Sequence, residues 1–431
     1  MKWKVVGCVG LAWMAGFLGV AAGAHGEALP GLTLKEALGR ALAHNWDLLA
    51  AQSNVDLATA QRILAAEIQN PAASTTVSGL PIDGSPAATP LGNGLWQRSY
   101  ETNVAVSQLF ELHGKRALKR ASAAAGIDAA RARLDDVRRV LDDAVIKAYA
   151  AAALAEENSR LLGETAQSLR ESARLAAIRF QAGDISASDQ KQIEVAAERF
   201  ELDARASETA ARNARIAVET LMGERDPRGD WQAADGLPDL AAAGAAFDPR
   251  QQVKERPDLA AARSSLAKAD ADLELERRRR LPDPALSLAY DHLPPDRRNT
   301  IGLGVTIDLP LWSHHEGEIA AAAVARDQAA RDRERIAATI AADRATARNA
   351  FDGALGRWQV YRQGIVPKAE QVRDTVVYAY QHGGASLLEL LEAERNANEI
   401  RLAAAQAAAD TLSAAADLAS SFNLQLFQGA P

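Results

Sequence analysis

Two runs of helix-forming sequence, about Leu112 to Phe180 and about Glu316 to Tyr380, constrain this chain more than anything else in it. Each is roughly 70 residues, which at ~1.5 Å per residue is about 100 Å of helix. No globular core needs an element of that length. Each run stops at a glycine-marked break and a shorter helical pattern returns, roughly Ile185 to Met222 and Leu387 to Phe422. The breaks share a plan. Aromatic, Gln, Gly and Ser recur at one offset as Phe180/Tyr380, Gln181/Gln381, Gly183/Gly383 and Ser186/Ser386. Both are read as tips of long helical hairpins. Glycine there supplies the positive φ that a tight helix-to-helix turn requires.

The rest of the chain repeats in the same way. Leu32-Thr-Leu-Lys-Glu-Ala-Leu38 opens a helix, with Thr33 and Glu36 spaced as a capping box. That pattern runs to about Gln69 and stops at Asn70-Pro71. A second copy runs from near Pro249 to Leu281-Pro282. Asp47-Leu48 matches Asp258-Leu259, and Pro71 matches Pro282, at one shared offset. Several ordered matches indicate an internal duplication. The expected division is a leader over 1–24, a first repeat over 25–222, a linking belt over 223–248, a second repeat over 249–422 and a tail over 423–431. Pro367 interrupts the last long helix and is expected to kink it; the matching position in the first half is Gln167.

Beyond each proline-ended helix the period drops to two. Ile301, Leu303, Val305, Ile307 and Leu309 alternate with Thr300, Gly302, Gly304, Thr306 and Asp308. Leu286, Leu288 and Tyr290 alternate in the partner segment. In the first half Thr75, Val77 and Gly79 share one strand face, and Tyr100, Thr102, Val104 and Val106 another. Strands of about ten residues with an apolar face and a small or polar face suit a membrane barrel. Trp96, Tyr100 and Trp312 fall near strand ends, where an aromatic girdle sits. The rival is a soluble two-stranded ribbon on a helical body. Four strands cannot close a membrane barrel, the smallest having about eight, and open edges are not viable in lipid. The strands must then close with those of other chains, three chains giving twelve.

Composition fits this plan. The hydrophobic fraction is 48% but much of it is Ala, and aromatics are 5%. Alanine favours helix and buries little area, which suits thin helical packing. The net charge of −7 argues against a nucleic-acid surface. Lys2 and Lys4, the apolar stretch Val5 to Val20 and the small residues Ala22-Gly-Ala24 read as a secretory signal; an uncleaved anchor is the rival. The single cysteine, Cys8, lies within it, where Val5-Val-Gly-Cys8 has a superficial likeness to a lipoprotein processing site. No disulfide or thiol chemistry is expected of the mature chain.

No nucleophile–base constellation, phosphate-binding glycine loop or zinc-ligand spacing is present in the sequence, so neither an enzyme nor a cofactor is expected. His314-His315 are neighbours that would point apart, with no Cys or third His beside them. Arg277, Arg278, Arg279 and Arg280 end a helix just before a strand; they suit lipid headgroups and the negative end of the helix dipole, or are a solvated charge run. Glu389 and Glu392 are three apart, hence on one helix face. From spacing alone they are ordinary solvated charges.

These motifs resemble the TolC-like outer-membrane efflux family, over nearly all of the mature chain. The Leu32–Leu38 start, both proline-ended helices, both strand pairs and both glycine tips follow its plan. The resemblance implies a mainly α fold with a small β part. Duplicated helical hairpins would form a periplasmic α-barrel, and four strands per protomer would enter a twelve-stranded outer-membrane β-barrel in a homotrimer. It implies a passive duct that receives substrate from a periplasmic adaptor and an inner-membrane, proton-driven pump. Ser107-Gln-Leu-Phe-Glu-Leu-His-Gly-Lys-Arg116 and Leu309-Pro-Leu-Trp-Ser-His-His-Glu-Gly-Glu-Ile319 are similar to junctions of its CzcC-like, heavy-metal branch, which favours metal cations over drugs or other solutes.

The resemblance also implies roles at the tips. Glu389 and Glu392 would form an acidic ring at the periplasmic entrance, six carboxylates in a trimer. Asp189 and Tyr380 would hold the closed tip. Phe180, Gly183, Ser186, Gly383 and Ser386 would meet the adaptor. The basic partner that the family places opposite Asp189 falls on Ala385 here, so that ion pair is expected to be absent or rebuilt and closure to rest on packing of Tyr380, Leu387 and Leu388 and on other hydrogen bonds. A purely helical periplasmic adaptor or structural rod is the competing class; it would have no need of four alternating strands.

Overall fold

The computed structural model describes residues 29–79, 101–248, 254–293 and 298–427. Residues 1–28 with Cys8, residues 80–100 with Trp96 and Tyr100, and residues 428–431 of the tail lie outside the described residues.

Both halves have the same element order: helix, two strands, a long helix, and a shorter returning helix. In the first half these are α1 (Leu34–His44), α2 (Trp46–Ala66), β2 (Ala72–Ser78), β3 (Glu101–Leu109), α3 (Lys115–Ala182) and α4 (Ala187–Leu221). In the second they are α6 (Pro257–Arg279), β5 (Pro284–Leu293), β6 (Arg298–Ile307), α7 (Glu316–Val360), α8 (Val366–Gln381) and α9 (Leu387–Ser421). Two short strands, β1 (Gly31–Leu32) and β4 (Gln232–Ala233), pair in parallel, and α5 (Leu237–Ala245) follows β4. Unbroken over 68 residues, α3 spans about 100 Å.

Two helical expectations need correction, and the interruption expected at Pro367 takes a definite form. The first helix is two: Asn45 ends α1 and caps α2. Its side chain accepts from the backbone N–H groups of Asp47 and Leu48 and donates to Leu221 O at 2.9 Å. The second-half helix starts at Pro257, not near Pro249, because proline suits the first helical position. At Pro367 the helix changes winding: Tyr361–Ile365 form a π turn between α7 and α8. Proline removes one N–H and its ring crowds the carbonyl four residues back; the wider turn makes room. Through Gln167, α3 continues as regular α-helix.

The strands form one antiparallel sheet in the order β2-β3-β5-β6. Its register joins the halves, with Val104 opposite Tyr290 and Val106 opposite Leu288, while Tyr290 and Leu288 face Ile301 and Leu303. Val104, Val106, Leu288, Ile301 and Leu303 therefore share one face. Ala105, Ser107, Ala289, Ser287, Gly302 and Gly304 share the other, the apolar and small faces anticipated from the alternation. On the apolar face Leu303 is 87% exposed, and next to the sheet Trp312 is 91% exposed. No helix among the described residues is long and apolar enough to cross a membrane.

The core sits at mid-height, where α1, α2, α3, α4 and α9 meet. Tyr149 of α3 is fully buried; its hydroxyl donates to Leu32 O at 2.6 Å, and its ring stacks on Trp231 at 5.9 Å. Asp235 accepts from Leu34 N at 2.6 Å, tying the start of α1 to the belt. Small residues bring α9 close to its neighbours: Ala407, Ala408, Ala415, Ala416 and Ala419 are buried, and Gly244 of α5 lies against Leu412 and Ala415.

At the strand–helix junction, Lys115 of the Gly-Lys-Arg motif is buried. Its ammonium pairs with Asp283 at 2.8 Å and donates to Leu281 O, while Asp283 also accepts from Leu112 N at 2.9 Å. The motif thus pins the first half to the Pro282 turn of the second. Removing one partner of a buried pair costs about 3–5 kcal/mol. Lys115→Met is therefore expected to lower the midpoint of thermal unfolding followed by circular dichroism, and the Lys115→Met, Asp283→Asn pair to recover part of the loss.

Candidate functional site at the helical tips

At the first tip α3 stops at Gly183, φ 85°, and the N–H of Asp184 returns to Arg179 O at 2.9 Å. At the second, α8 stops at His382, Gly383 takes φ 78°, and Gly384 N reaches Ala379 O at 2.7 Å. Open space surrounds both Gly183 and Gly383, so backbone conformation rather than crowding calls for glycine.

Ser186 and Ser386 are helix N-caps. Ser186 accepts from Asp189 N at 3.1 Å, and the Asp189 carboxylate accepts from Ser186 Oγ at 2.9 Å. In the second tip Glu389 Oε2 accepts from Ser386 N at 2.7 Å and from Ser386 Oγ at 2.8 Å. These are reciprocal capping boxes. The spacing is legible in Ser186-Ala-Ser-Asp189 and Ser386-Leu-Leu-Glu389, and it adds a capping role to the contact, closure and ring roles expected of these residues. Hydrogen bonds from Ser386, backbone first and hydroxyl second, hold the Glu389 carboxyl below the usual carboxylate range. Glu389 and Glu392 are both exposed.

The two tips of one chain are joined through Tyr380. It is 4% exposed and packs in a cluster with Ala176, Ile193 and Leu390, flanked by Ile185, Ala385 and Leu387. Arg179 of the first hairpin lies over its ring at 5.2 Å, and Arg179 Nη2 donates to Gln381 O at 2.9 Å. Arg179 thus bridges to the second tip through the Tyr380 ring and a main-chain carbonyl, whereas Asp189 bonds only Ser186 of its own turn and enters no ion pair within 4 Å among the described residues. Nothing in the local pattern around Arg179 distinguishes it from other surface arginines of α3. Leu388, expected in the packing, is 66% exposed; fully buried Leu390 takes that place, because two helical residues is a half-turn. Phe180 is 41% exposed.

The remaining candidates lie far along the chain from the tips. Arg277, Arg278, Arg279 and Arg280 are exposed at the end of α6. Glu274 pairs with Arg277 at 3.7 Å and with Arg278 at 2.8 Å, and Glu276 pairs with Arg279 at 2.6 Å. His314 and His315 approach Glu316 and Glu318 at 3.6 and 3.8 Å, and no cluster of three metal-ligating side chains occurs among the described residues.

The model of the outer membrane efflux protein family matches residues 37–224 and 249–424, one segment in each half. The chain belongs to this family. Its members are passive channels, not enzymes, and this chain is an outer-membrane efflux channel with the TolC-like fold. It is 26% identical over 377 residues to the cobalt-zinc-cadmium resistance protein CzcC of Cupriavidus metallidurans, covering 87% of this chain and 86% of that one. It is also 26% identical over 400 residues to the pyoverdine export outer membrane protein OpmQ of Pseudomonas aeruginosa, covering 87% and 83%. The crystal structure of CusC superposes with a TM-score of 0.73 at 18% identity, over 94% of this chain and 95% of that chain.

Proposed function

We propose that this chain is one third of a trimeric outer-membrane duct that passes metal cations from a periplasmic adaptor and a proton-driven inner-membrane pump to the exterior. The observation that carries the reading is the open four-stranded sheet. Its apolar face is exposed, and β2 and β6 each have only one neighbour among the described residues. In lipid such edges require partners, and three copies supply a closed barrel of twelve strands. Exposed Leu49, Leu57 and Leu64 along α2 favour further contact between copies. Residues 1–24 are read as the export signal and 223–248 as the belt joining the repeats. Trp312, with Trp96 and Tyr100, would lie at the membrane boundary, and Arg277 to Arg280 would meet headgroups.

At the other end, exposed Phe180 and the turns at Gly183, Ser186, Gly383 and Ser386 are the surface offered to the adaptor. Asp189, Tyr380 and Arg179 hold the two hairpins together in the closed state. Glu389 and Glu392, repeated three times, form an acidic entrance that concentrates cations; the duct supplies no energy.

The CzcC relative and the junctions at Gly114-Lys-Arg116 and Trp312–Glu318 favour metal cations. The OpmQ relative supports solute export as the second reading. A deletion strain tested against cobalt, zinc and cadmium separates them: the metal reading expects hypersensitivity reversed by the intact gene. Unchanged metal tolerance would remove metal as cargo and leave the duct in place.

A further inference from the structure

Above the tips, one acidic side chain is buried in the seam between the two hairpins. Glu394 of α9 is 3% exposed, and Ser168 of α3 donates to its Oε1 at 2.7 Å. One turn along, Thr165 donates to Asn398 Oδ1 at 3.3 Å, with both residues buried. Beyond them Arg401 pairs with Glu164 of α3 at 2.8 Å and reaches Glu370 of α8 at 3.6 Å. The charged groups that act on Glu394 are Arg401 on α9 and Arg373 and Asp374 on α8, with Arg401 itself shared with Glu164 of α3 and Glu370 of α8. No ion pair within 4 Å engages Glu394 itself among the described residues. Burial pushes its carboxyl up; the Ser168 hydrogen bond and the charges of Arg373 and Arg401 oppose this, and Asp374 adds to it.

A bare carboxylate in a packed helix seam is costly, whereas the neutral acid is not. If the hairpins part at this level, Glu394 meets water and ionises freely. Its proton is therefore held more tightly in the packed arrangement than in the parted one, and packing must strengthen as pH falls. We propose that Glu394 is a proton-operated clasp between the hairpins. It keeps α3 and α9 packed when the periplasm is acid and favours their separation as pH rises. The clasp rests on the duct reading only where parting of the hairpins is taken to open the entrance.

The test uses the full-length protein. Amide hydrogen exchange over α3 and α9 is compared between wild type and Glu394→Gln at each pH, so that the intrinsic rise in exchange with pH cancels. Wild type is expected to lose protection relative to the variant as pH rises from the ordinary carboxylate range toward neutrality and above. Planar-bilayer conductance should rise roughly threefold or more over the same range, within the limit of about tenfold per pH unit for one proton per chain. Glu394→Gln should be flat at the acid value. Ser168→Ala, which removes a bond that favours the charged form, should move the midpoint to higher pH. Equal exchange in wild type and Glu394→Gln at every pH would overturn the clasp, as would a conducting channel whose pH profile is the same in both. A pH-dependent exchange difference without conductance would keep the clasp and count against the duct.

Discussion

Tyr380→Ala is expected to raise the resting conductance of the purified channel at least tenfold, with little change in the yield of assembled protein. Tyr380 is the buried piece shared by both tips, packed on Ala176, Ile193 and Leu390 beneath the Arg179 guanidinium. Truncating a buried aromatic to Ala costs about 3–5 kcal/mol where the site does not collapse. About 1.4 kcal/mol of that, lost selectively from the closed arrangement, gives a tenfold shift. The helices themselves should survive, because the main core lies at mid-height around Tyr149 and Trp231. Tyr380→Phe keeps the ring and should conduct as wild type does. Arg179→Lys should fall between the two, since an ammonium keeps the charge but loses the flat guanidinium over the ring and the geometry of its bond to Gln381 O. A Tyr380→Ala channel as closed as wild type would mean that closure is held elsewhere.

The second large effect concerns charge at the entrance. Replacing both Glu389 and Glu392 by Gln should abolish most of the preference for cations, read as the reversal potential across a salt gradient. Gln is a useful replacement because a capping box accepts it at this helical position, so the Ser386 turn is retained while the charge is lost. The pH dependence has a definite sign. Glu389 is held below the ordinary carboxylate range, so it stays ionised as pH falls and loses its charge only below that range. Cation preference should therefore persist in mild acid, where the clasp at Glu394 is tightening. An unchanged reversal potential in the double variant would return both residues to the status of solvated helix charges.

Much of this architecture was legible because helix length and strand period are written locally. The long runs to Phe180 and Tyr380, the glycine tips and the period-two strands required only residue spacing. Most of what escaped depends on partners distant in sequence. Asn45 breaks a helix without proline or glycine, because its amide both caps α2 and reaches Leu221 O. The π turn at Tyr361–Ile365 is the local answer to Pro367, but its form depends on how the helix absorbs the missing N–H. The pairing of β3 with β5, which makes one sheet from two hairpins, has no local signal. Neither do Arg179 and Glu394, ordinary charged residues until the second hairpin is laid beside the first. Lys115 shows the opposite case: its motif was noticed as a mark of resemblance, and its burial against Asp283 gives that motif a structural reason.

Four strands per chain would become a barrel only by association. Native mass spectrometry of protein extracted by detergent from the outer-membrane fraction tests it most directly. A particle of three identical chains, without adaptor or pump, that stays together until heated is expected. A single chain, or one recovered from the soluble periplasmic fraction, would contradict it.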